Sequence, residues 1–305
     1  MTEKRFGFIA VIGPPNAGKS TLSNALVGQK VAIVTHKAQT TRARLRAVVM
    51  HEQSQVVLVD TPGIFSGVKK LDKAMVQEAW SGAEEADAVL VVLDASRALP
   101  AETELVLAGV KGTSKPVILV LNKVDAVKRE KLLELTQQLN EAADFTDTFM
   151  VSALKGTGLE ELKNHLANLV PEGPWHYPED MAADVPSLLL AAEVTREKLF
   201  LRMHQELPYA LTVETESWKR QKDGSVRLEQ VIFVRRDSQK AIVLGKRGQS
   251  IREVGSQARL EMEEVFGHKV HLFLFVKVRD NWIDDAERYR MMGIDYAGAV
   301  NAMER

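Results

Sequence analysis

Cysteine is absent from this sequence of 305 residues. Its absence excludes disulfide bonds, thiolate metal sites and cysteine nucleophiles together. A strong charge of either sign is also lacking: the formal net charge is −1, so any binding of nucleic acid must come from a local patch. The seven histidines are scattered without the spacing of metal ligands, and we interpret His268 and His271, which run into a predicted strand, as structural.

Long apolar runs are missing as well. No run approaches the ~18 residues that a membrane-spanning helix needs. The first predicted strand begins by Phe6, which leaves no room for a signal peptide. These features predict a cytosolic protein, at most peripheral to a membrane. With 45% hydrophobic and 27% charged residues in a chain of this length, we expect two globular domains.

A glycine-rich stretch, Gly13–Ser20, fits the phosphate-loop pattern G-x-x-x-x-G-K-[ST]. Alone, such a match is often an ordinary turn. Here it follows the apolar run Phe6–Ile12 and precedes a helical segment, so unpaired backbone N–H groups at a helix N-terminus would meet anionic phosphate. Lys19 would reach the β- and γ-phosphates, and the Ser20 hydroxyl would ligate Mg²⁺.

The polar segment Thr35–Arg42 suits a loop that covers a triphosphate. In nucleotide switches a threonine hydroxyl closes on Mg²⁺ only when the γ-phosphate is present. Thr40 or Thr41 is the candidate sensor, and we assign the role to Thr41. Without the phosphate loop upstream, a polar surface loop would be the better interpretation.

The run Gln55–Val59 reads as a strand that pairs with Ala47–Met50, and it ends in Asp60-Thr61-Pro62-Gly63. An aspartate at this place provides a second Mg²⁺ contact through water, and Gly63 can offer its N–H to the γ-phosphate. The next residue is Ile64, where many small GTPases carry the glutamine that orients water. We therefore expect slow intrinsic hydrolysis.

Two continuous apolar runs, Ala88–Asp94 and Lys115–Leu121, are typical of parallel strands covered on both faces. Each follows a helix-like segment, which predicts a doubly wound α/β sheet. The second run ends in Asn122-Lys123-Val124-Asp125. The Asp125 carboxylate only accepts hydrogen bonds and matches the N1–H and 2-amino donors of guanine, which adenine lacks, so it specifies GTP over ATP.

Three further contacts complete the predicted nucleotide site. Asn122 would tie its loop to the phosphate loop, Lys123 would lie along base and ribose, and a backbone N–H of Ser152–Leu154 would reach the guanine O6. The predicted nucleotide-binding residues are Gly13, Pro14, Pro15, Asn16, Ala17, Gly18, Lys19, Ser20, Thr21, Asp60, Gly63, Asn122, Lys123, Asp125, Ser152 and Ala153. Lys19, Thr41 and Gly63 are the predicted catalytic residues. Ser20, Thr41 and Asp60 are the predicted Mg²⁺ ligands.

The proline-containing stretch Pro171–Asp180 changes the character of the chain and predicts a semi-rigid linker. We expect Trp175 and Tyr177 to pack on a domain rather than stack on bases. The predicted boundaries are a GTP-binding domain at 1–172, a linker at 173–185 and a second domain at 186–305, whose tail from Trp282 receives no function.

The second domain reads α-β-β-α-α-β. The run Ala241–Leu244 is strand-like, but we count Lys240–Gly245 as the end of a short first helix, and the next helix has a possible break near Gly255. A G-x-x-G loop, Gly245–Gly248, separates these helices. Residues 235–259 hold seven Lys or Arg against two acids, whereas residues 186–305 hold 20 against 18. This local basicity indicates approach to a sugar-phosphate chain; the alternative is a solvated helix face beside a turn. The predicted RNA-binding residues are Lys240, Gly245, Lys246, Arg247, Gly248 and Arg252.

These motifs together make the chain similar to the Era family of bacterial GTPases over essentially its full length. The resemblance rests on residues 16–21, 37–42, 60–63 and 122–125, with 177–180, 206–209, 276–278 and Trp282 in the linker and second domain. Pro14 and Leu154 depart from the common arginine and lysine, but both positions supply mainly backbone. Asn16, together with Ile64, resembles GTPases in which a bound K⁺ supplies charge.

The resemblance implies a P-loop GTPase domain followed by a smaller type II KH domain. It also implies GTP, GDP and Mg²⁺ as cofactors, and binding to the 3′ end of 16S rRNA in maturation of the 30S subunit. Weak association with the inner membrane is a family property that no residue here indicates, and no DNA partner is expected. Two alternatives stay open: an RNA-binding assembly factor that holds GTP structurally, and a tRNA-modifying GTPase, which the missing cysteine and the KH-like half disfavour.

Overall fold

The structure is a computed structural model, and it describes residues 3–35, 37, 45–66, 70–184, 186–204 and 207–280. The predicted sensors Thr40 and Thr41 and the tail from Trp282 lie outside these residues. The described chain forms two compact units. Most of residues 3–184 belong to the first unit. Residues 33–35, 37 and 186–280 belong to the second.

The first unit is built on a six-stranded sheet in the order β2-β3-β1-β4-β5-β6. All neighbours are parallel except β2 and β3, the predicted hairpin pair. The strands are β1 Arg5–Ile12, β2 Leu45–His51, β3 Ser54–Asp60, β4 Ala88–Asp94, β5 Val117–Asn122 and β6 Asp147–Met150. The helices are α1 Lys19–Val27, α2 Lys70–Glu85, α3 Glu102–Val110, α4 Arg129–Ala142 and α5 Leu159–Leu169. The predicted doubly wound fold is confirmed.

Helices cover both faces of this sheet, which explains the continuous apolar runs. Along β4, Leu90 and Val92 pack into one hydrophobic cluster, and Val91 and Leu93 pack into the other. Every residue of β4 is buried. Because the carboxyl ends of parallel strands meet at one edge, the residues that follow β1, β3, β4, β5 and β6 are brought together there.

The second unit packs its helices on one three-stranded sheet. Its elements are α6 Ser187–Arg202, β7 Leu211–Arg220, β8 Val226–Val234, α7 Asp237–Leu244, α8 Gln249–Phe266 and β9 Val270–Val278. β8 lies in the centre, antiparallel to β7 and parallel to β9. The predicted α-β-β-α-α-β order is therefore confirmed.

Two details of the helices in the second unit can be compared with the sequence prediction: the first is confirmed and the second is wrong. Residues 241–244 are fully helical, in a helix that begins at Asp237, where the Gln239 side chain accepts the N–H groups of Arg235 and Arg236. The predicted break near Gly255 is wrong, since α8 is continuous. Gly255 faces the sheet, where a Cβ would lie 3.4 Å from Leu274 Cδ1, a normal van der Waals distance.

The segment predicted to be a linker is packed on the first unit up to Asp184. Trp175 Nε1 donates to Gln53 O at 3.0 Å, and the Gln55 side chain bonds to the backbone of Tyr177. The rings of Phe6 and His176 stack at 3.8 Å. Trp175 and Tyr177 thus lie against a domain, as predicted.

Candidate functional site

The phosphate loop needs backbone conformations that only glycine adopts easily. Gly13 and Gly18 have φ of 150° and 94°. A Cβ at Gly13 would lie 2.2 Å from Val92 O, and one at Gly18 would lie 2.3 Å from Asn122 Nδ2. Asn16 also has a positive φ, 63°, in the left-handed region that asparagine tolerates. The loop is therefore folded tightly against the ends of β4 and β5.

Lys19 starts α1 directly below the loop and is 7% exposed. Its Nζ donates to Gly13 O at 3.0 Å and to Pro14 O at 3.1 Å. Burial lowers the pKa of Lys19 to about 8, against the opposing effect of Asp60. The ammonium group is thus held at the centre of the loop, where a bound phosphate would replace carbonyl oxygens as its partner.

Ser20 and Asp60 form the other predicted pair. Ser20 Oγ donates to Asp60 Oδ2 at 2.7 Å. Asp60 Oδ1 is fully buried and has no hydrogen-bond partner among the described residues. Burial raises the pKa of Asp60 to about 6, although Ser20 and Lys19 oppose the shift. A hydroxyl beside a buried, half-satisfied carboxylate is a donor set that fits Mg²⁺.

Gly63 and Ile64 approach the phosphate loop through their backbone. A Cβ at Gly63 would lie 2.9 Å from Pro15 N, and Ile64 N–H donates to Gly13 O at 3.0 Å. The Ile64 side chain is 1% exposed and packs in the core. This position therefore contributes no polar side chain to the site.

The loop predicted to recognise the base, Asn122–Asp125, lies at the end of β5. Asp125 is exposed, and Ser152 Oγ donates to its Oδ1 at 2.6 Å, which fixes the carboxylate. Asn122 Nδ2 donates to Ala17 O at 3.0 Å, so Asn122 ties the two loops together as predicted. The Ala153 N–H, one of those expected to reach guanine O6, instead donates to Asn122 Oδ1 at 3.1 Å.

Lys123 bonds to groups that the sequence did not point to. Its Nζ donates to Asp94 Oδ2 at 2.7 Å and to Asn16 O at 2.9 Å. Asp94 also forms an ion pair with Arg97 at 3.1 Å. Asp94 is the last residue of a buried strand, but it belongs to none of the nucleotide-binding motifs, so the sequence alone did not single it out.

The G-x-x-G loop joins α7 to α8 in the second unit. Gly245, Arg247 and Gly248 have φ of 70°, 53° and 73°. Lys246 and Arg247 are exposed. They border an open depression of about 750 Å³, lined by Lys246, Arg247, Gln249, Arg252 and Glu253. The predicted loop is therefore an exposed basic turn beside a concave surface.

Arg252 and Lys240 play different parts from the loop residues. Arg252 donates to Arg247 O at 2.9 Å and to Gly248 O at 3.3 Å, so its guanidinium supports the loop. Lys240 lies within α7 and is half-buried. Their contact with RNA stays a prediction.

Two kinds of feature are absent from the described residues. No described helix is both long and apolar enough to cross a bilayer. No cluster of three or more His, Asp or Glu side chains that could hold a metal ion occurs in the described part of the chain. The predicted Mg²⁺ site is compatible with that result, because Asp60 is the one carboxylate among its predicted ligands and the other two, Ser20 and Thr41, offer hydroxyls.

Comparison with known proteins covers both units. Residues 8–123 match the family model described as 50S ribosome-binding GTPase, and residues 206–283 match that of the KH domain. The GTPase Era of Sinorhizobium medicae is 56% identical over 292 residues, 96% of this chain and 94% of that protein. The GTPase Era of Brucella suis is 56% identical over 295 residues, 97% of this chain and 95% of that protein.

Two solved structures share the whole architecture. An Era in complex with MgGDPNP and nucleotides 1506–1542 of 16S ribosomal RNA is 36% identical, with a TM-score of 0.90 over 95% of this chain and 99% of that one. Aquifex aeolicus Era, as a variant bound to GDP·AlF4⁻, is 37% identical, with a TM-score of 0.89 over the same shares, 95% and 99%. The chain therefore belongs to the Era family of GTPases.

Proposed function

We propose that this protein binds and hydrolyses GTP and binds the 3′ end of 16S rRNA in maturation of the small ribosomal subunit. The observation that most directly supports GTP binding is the exposed Asp125 carboxylate. Ser152 fixes this carboxylate, in a loop that Asn122 ties to the phosphate loop. Only a purine with donors at N1 and N2 satisfies that carboxylate.

In the triphosphate complex, Lys19 exchanges its carbonyl partners for the β- and γ-phosphate oxygens. Ser20, Asp60 and Thr41 would hold Mg²⁺. When bound, Mg²⁺ neutralises charge on the phosphate oxygens. The Gly63 N–H donates to the γ-phosphate, and the remaining predicted nucleotide-binding residues contribute backbone or base contacts.

Intrinsic turnover is slow in this proposal, because the buried Ile64 cannot orient water. A K⁺ ion beside Asn16 would supply charge at the β/γ bridge. That part rests on Asn16 and the family resemblance.

RNA binding is assigned to the second unit. The relative crystallised with nucleotides 1506–1542 of 16S rRNA supports the choice of RNA. KH modules clamp a few backbone nucleotides at a G-x-x-G loop, and the exposed Lys246 and Arg247 supply phosphate contacts. Lys240, Gly245, Gly248 and Arg252 complete the proposed surface, the last by holding the loop.

Nucleotide state and RNA affinity are linked in this proposal. Val34 N–H donates to Glu197 Oε1 of α6 at 2.7 Å, and Lys37 Nζ donates to the carbonyls of Phe200 in α6 and of Met203 just after it. The stretch just before the proposed sensor Thr41 thus bonds to a helix of the RNA-binding unit.

We also propose the boundaries 1–172, 173–185 and 186–305 for GTPase domain, linker and KH domain. A cytoplasmic location belongs to the same proposal. Peripheral contact with the inner membrane rests on the family resemblance alone.

A second candidate function is an RNA-binding factor that holds GTP without turning it over, which the apolar Ile64 favours. Phosphate release under multiple turnover, with and without small ribosomal subunits, separates the two. We expect release above the protein concentration and faster release with subunits. Release that stops at one equivalent in both conditions would favour the second candidate.

A further inference from the structure

Three consecutive carbonyl oxygens of the phosphate loop, those of residues 15–17, are each held by a side chain from outside the loop. The donors, in that order, are Arg97 Nη2 at 3.4 Å, Lys123 Nζ at 2.9 Å and Asn122 Nδ2 at 3.0 Å. In a planar trans peptide the carbonyl and the N–H point in opposite directions. Holding these oxygens therefore turns the N–H groups of the same peptides away from the donors, as a phosphate cradle requires.

Two of these three donors are bound to the same carboxylate. Asp94 Oδ2 accepts from Lys123 Nζ at 2.7 Å and pairs with Arg97 Nε at 3.1 Å. Asp94 Oδ1 accepts from Ser96 N at 2.9 Å and from Ser96 Oγ at 2.5 Å. The Asp94 side chain is 4% exposed, so both of its oxygens are committed inside the protein.

The carboxylate is charged in this setting. Burial alone would raise the pKa of Asp94, but hydrogen bonds from Lys123 and Ser96 outweigh burial and lower it. Asp94 lies at the end of β4, in register with Asn122 at the end of β5. Because β4 and β5 are hydrogen-bonded neighbours, the Asp94 carboxylate has a fixed position relative to the phosphate loop and to the loop that follows β5.

We propose that Asp94 is a positioning residue for the nucleotide: through Lys123 and Arg97 it fixes the phosphate-loop peptides that cradle the phosphates of a guanosine di- or triphosphate. The inference rests on the proposed function of this site. Asp94 acts on the diphosphate portion that both nucleotides share. Affinity for GTP and GDP should fall together when it is altered, while the preference for guanine, which Asp125 sets, stays unchanged.

The test is the isosteric change Asp94→Asn. The control is Glu104→Gln, which removes an exposed carboxylate from the neighbouring helix α3. Dissociation constants and dissociation rates for GTP and GDP are measured by stopped-flow fluorescence, and hydrolysis is measured over a range of GTP. We expect Asp94→Asn to raise both dissociation constants about 10- to 100-fold. KM should rise, kcat should stay within about twofold, and Glu104→Gln should match the wild type.

A double-mutant cycle shows whether Asp94 acts through Lys123. If it does, Asp94→Asn combined with Lys123→Gln should weaken GDP binding far less than the sum of the single changes. Additive losses, or wild-type nucleotide dissociation in Asp94→Asn, would overturn the proposal.

Ser96→Ala keeps the test decisive if Asp94→Asn does not fold. Ser96 is exposed and bonds Asp94. We expect several-fold faster GDP dissociation, and an unchanged rate would overturn the proposal. Asp125→Asn is measured in parallel: if it too leaves GTP affinity unchanged, the nucleotide site itself is wrong rather than the part assigned to Asp94.

Discussion

In the proposed function one side chain, that of Asp125, selects the base. In Asp125→Asn the amide presents donors where guanine also has donors. We expect a strong loss of GTP affinity and a shift of preference toward xanthine nucleotide, which offers an acceptor there. Competition binding with GTP and XTP measures both effects, and Asp144→Asn, an exposed aspartate at the end of α4, is the control. Unchanged GTP affinity would remove the assignment.

Magnesium dependence follows from the hydroxyl of Ser20 beside the unsatisfied oxygen of Asp60. Chelation of Mg²⁺ should weaken GDP binding by the wild type at least ~10-fold, or about 1.4 kcal/mol. Ser20→Ala should bind GDP weakly with or without Mg²⁺. Ser23→Ala, which removes a buried hydroxyl from the same helix, should keep the wild-type response to chelation. A full chelation effect in Ser20→Ala would contradict the assignment.

The proposed K⁺ site predicts a difference between monovalent cations. Turnover should be faster in KCl than in NaCl at equal ionic strength, because K⁺ fits beside Asn16 and the β/γ bridge. Asn16→Ala should remove the difference while GDP binding remains. Equal rates in the two salts for the wild type would count against the site.

The sequence predicted those residues of the nucleotide site that belong to short local motifs. Lys19, Ser20, Asp60, Asn122 and Asp125 lie together at one sheet edge because each ends a strand of that sheet or comes soon after one. Two features depended on tertiary distances that spacing does not encode. These are the use of the Ala153 N–H by Asn122 and the pairing of Asp94 with Lys123 and Arg97.

Among the elements, the loop between α7 and α8 can be tested against a matched turn in the same unit. Gly248 and Gly224 have φ of 73° and 82°, and a Cβ at either would meet nothing within 4 Å. Gly248→Asp places a negative charge on the proposed RNA surface, whereas Gly224→Asp places it on the β7–β8 turn. Backbone strain is therefore similar in the two variants.

We expect Gly248→Asp to weaken RNA binding by at least ~1–3 kcal/mol, with GTP affinity and basal hydrolysis near wild type. Gly224→Asp should bind RNA normally. Electrophoretic mobility shifts over a range of salt concentrations measure both the affinity and its salt dependence. Wild-type RNA affinity in a folded Gly248→Asp variant would show that the KH assignment is wrong.

Element boundaries followed local signals closely in the first unit and less closely in the second. α5 has the bounds that its apolar spacing predicts, since Leu159, Leu162 and Leu166 form one buried stripe. Ala241–Leu244 reads equally well as strand or helix, because four apolar residues carry no period. The predicted helix break at Gly255 is absent, because α8 continues through this glycine, which faces Leu274 of the sheet.

For the whole molecule, the two-domain order and the fold of each unit were predictable, since motif order and the alternation of strands and helices both appear in sequence. The hydrogen bonds that join Val34 and Lys37 to α6 were not predictable, because the paired residues are over 160 positions apart in the sequence. These bonds bear on how nucleotide could control RNA binding. The proposed function divides the chain accordingly, with the proposed base and phosphate contacts before residue 154 and the proposed RNA contacts after residue 239.

The central claim, that this protein recognises the 3′ end of 16S rRNA through the loop Gly245–Gly248, is tested most directly by crosslinking in cells. Wild-type, Gly248→Asp and Gly224→Asp proteins are crosslinked to cellular RNA, and the bound fragments are sequenced. Parallel crosslinking in extract with GTP-loaded and GDP-loaded protein reads out the nucleotide dependence. We predict that fragments from the wild type and Gly224→Asp concentrate at the 3′ end of 16S rRNA, and that Gly248→Asp loses this enrichment. Fragments spread over unrelated RNAs, or equal enrichment in all three proteins, would contradict the account.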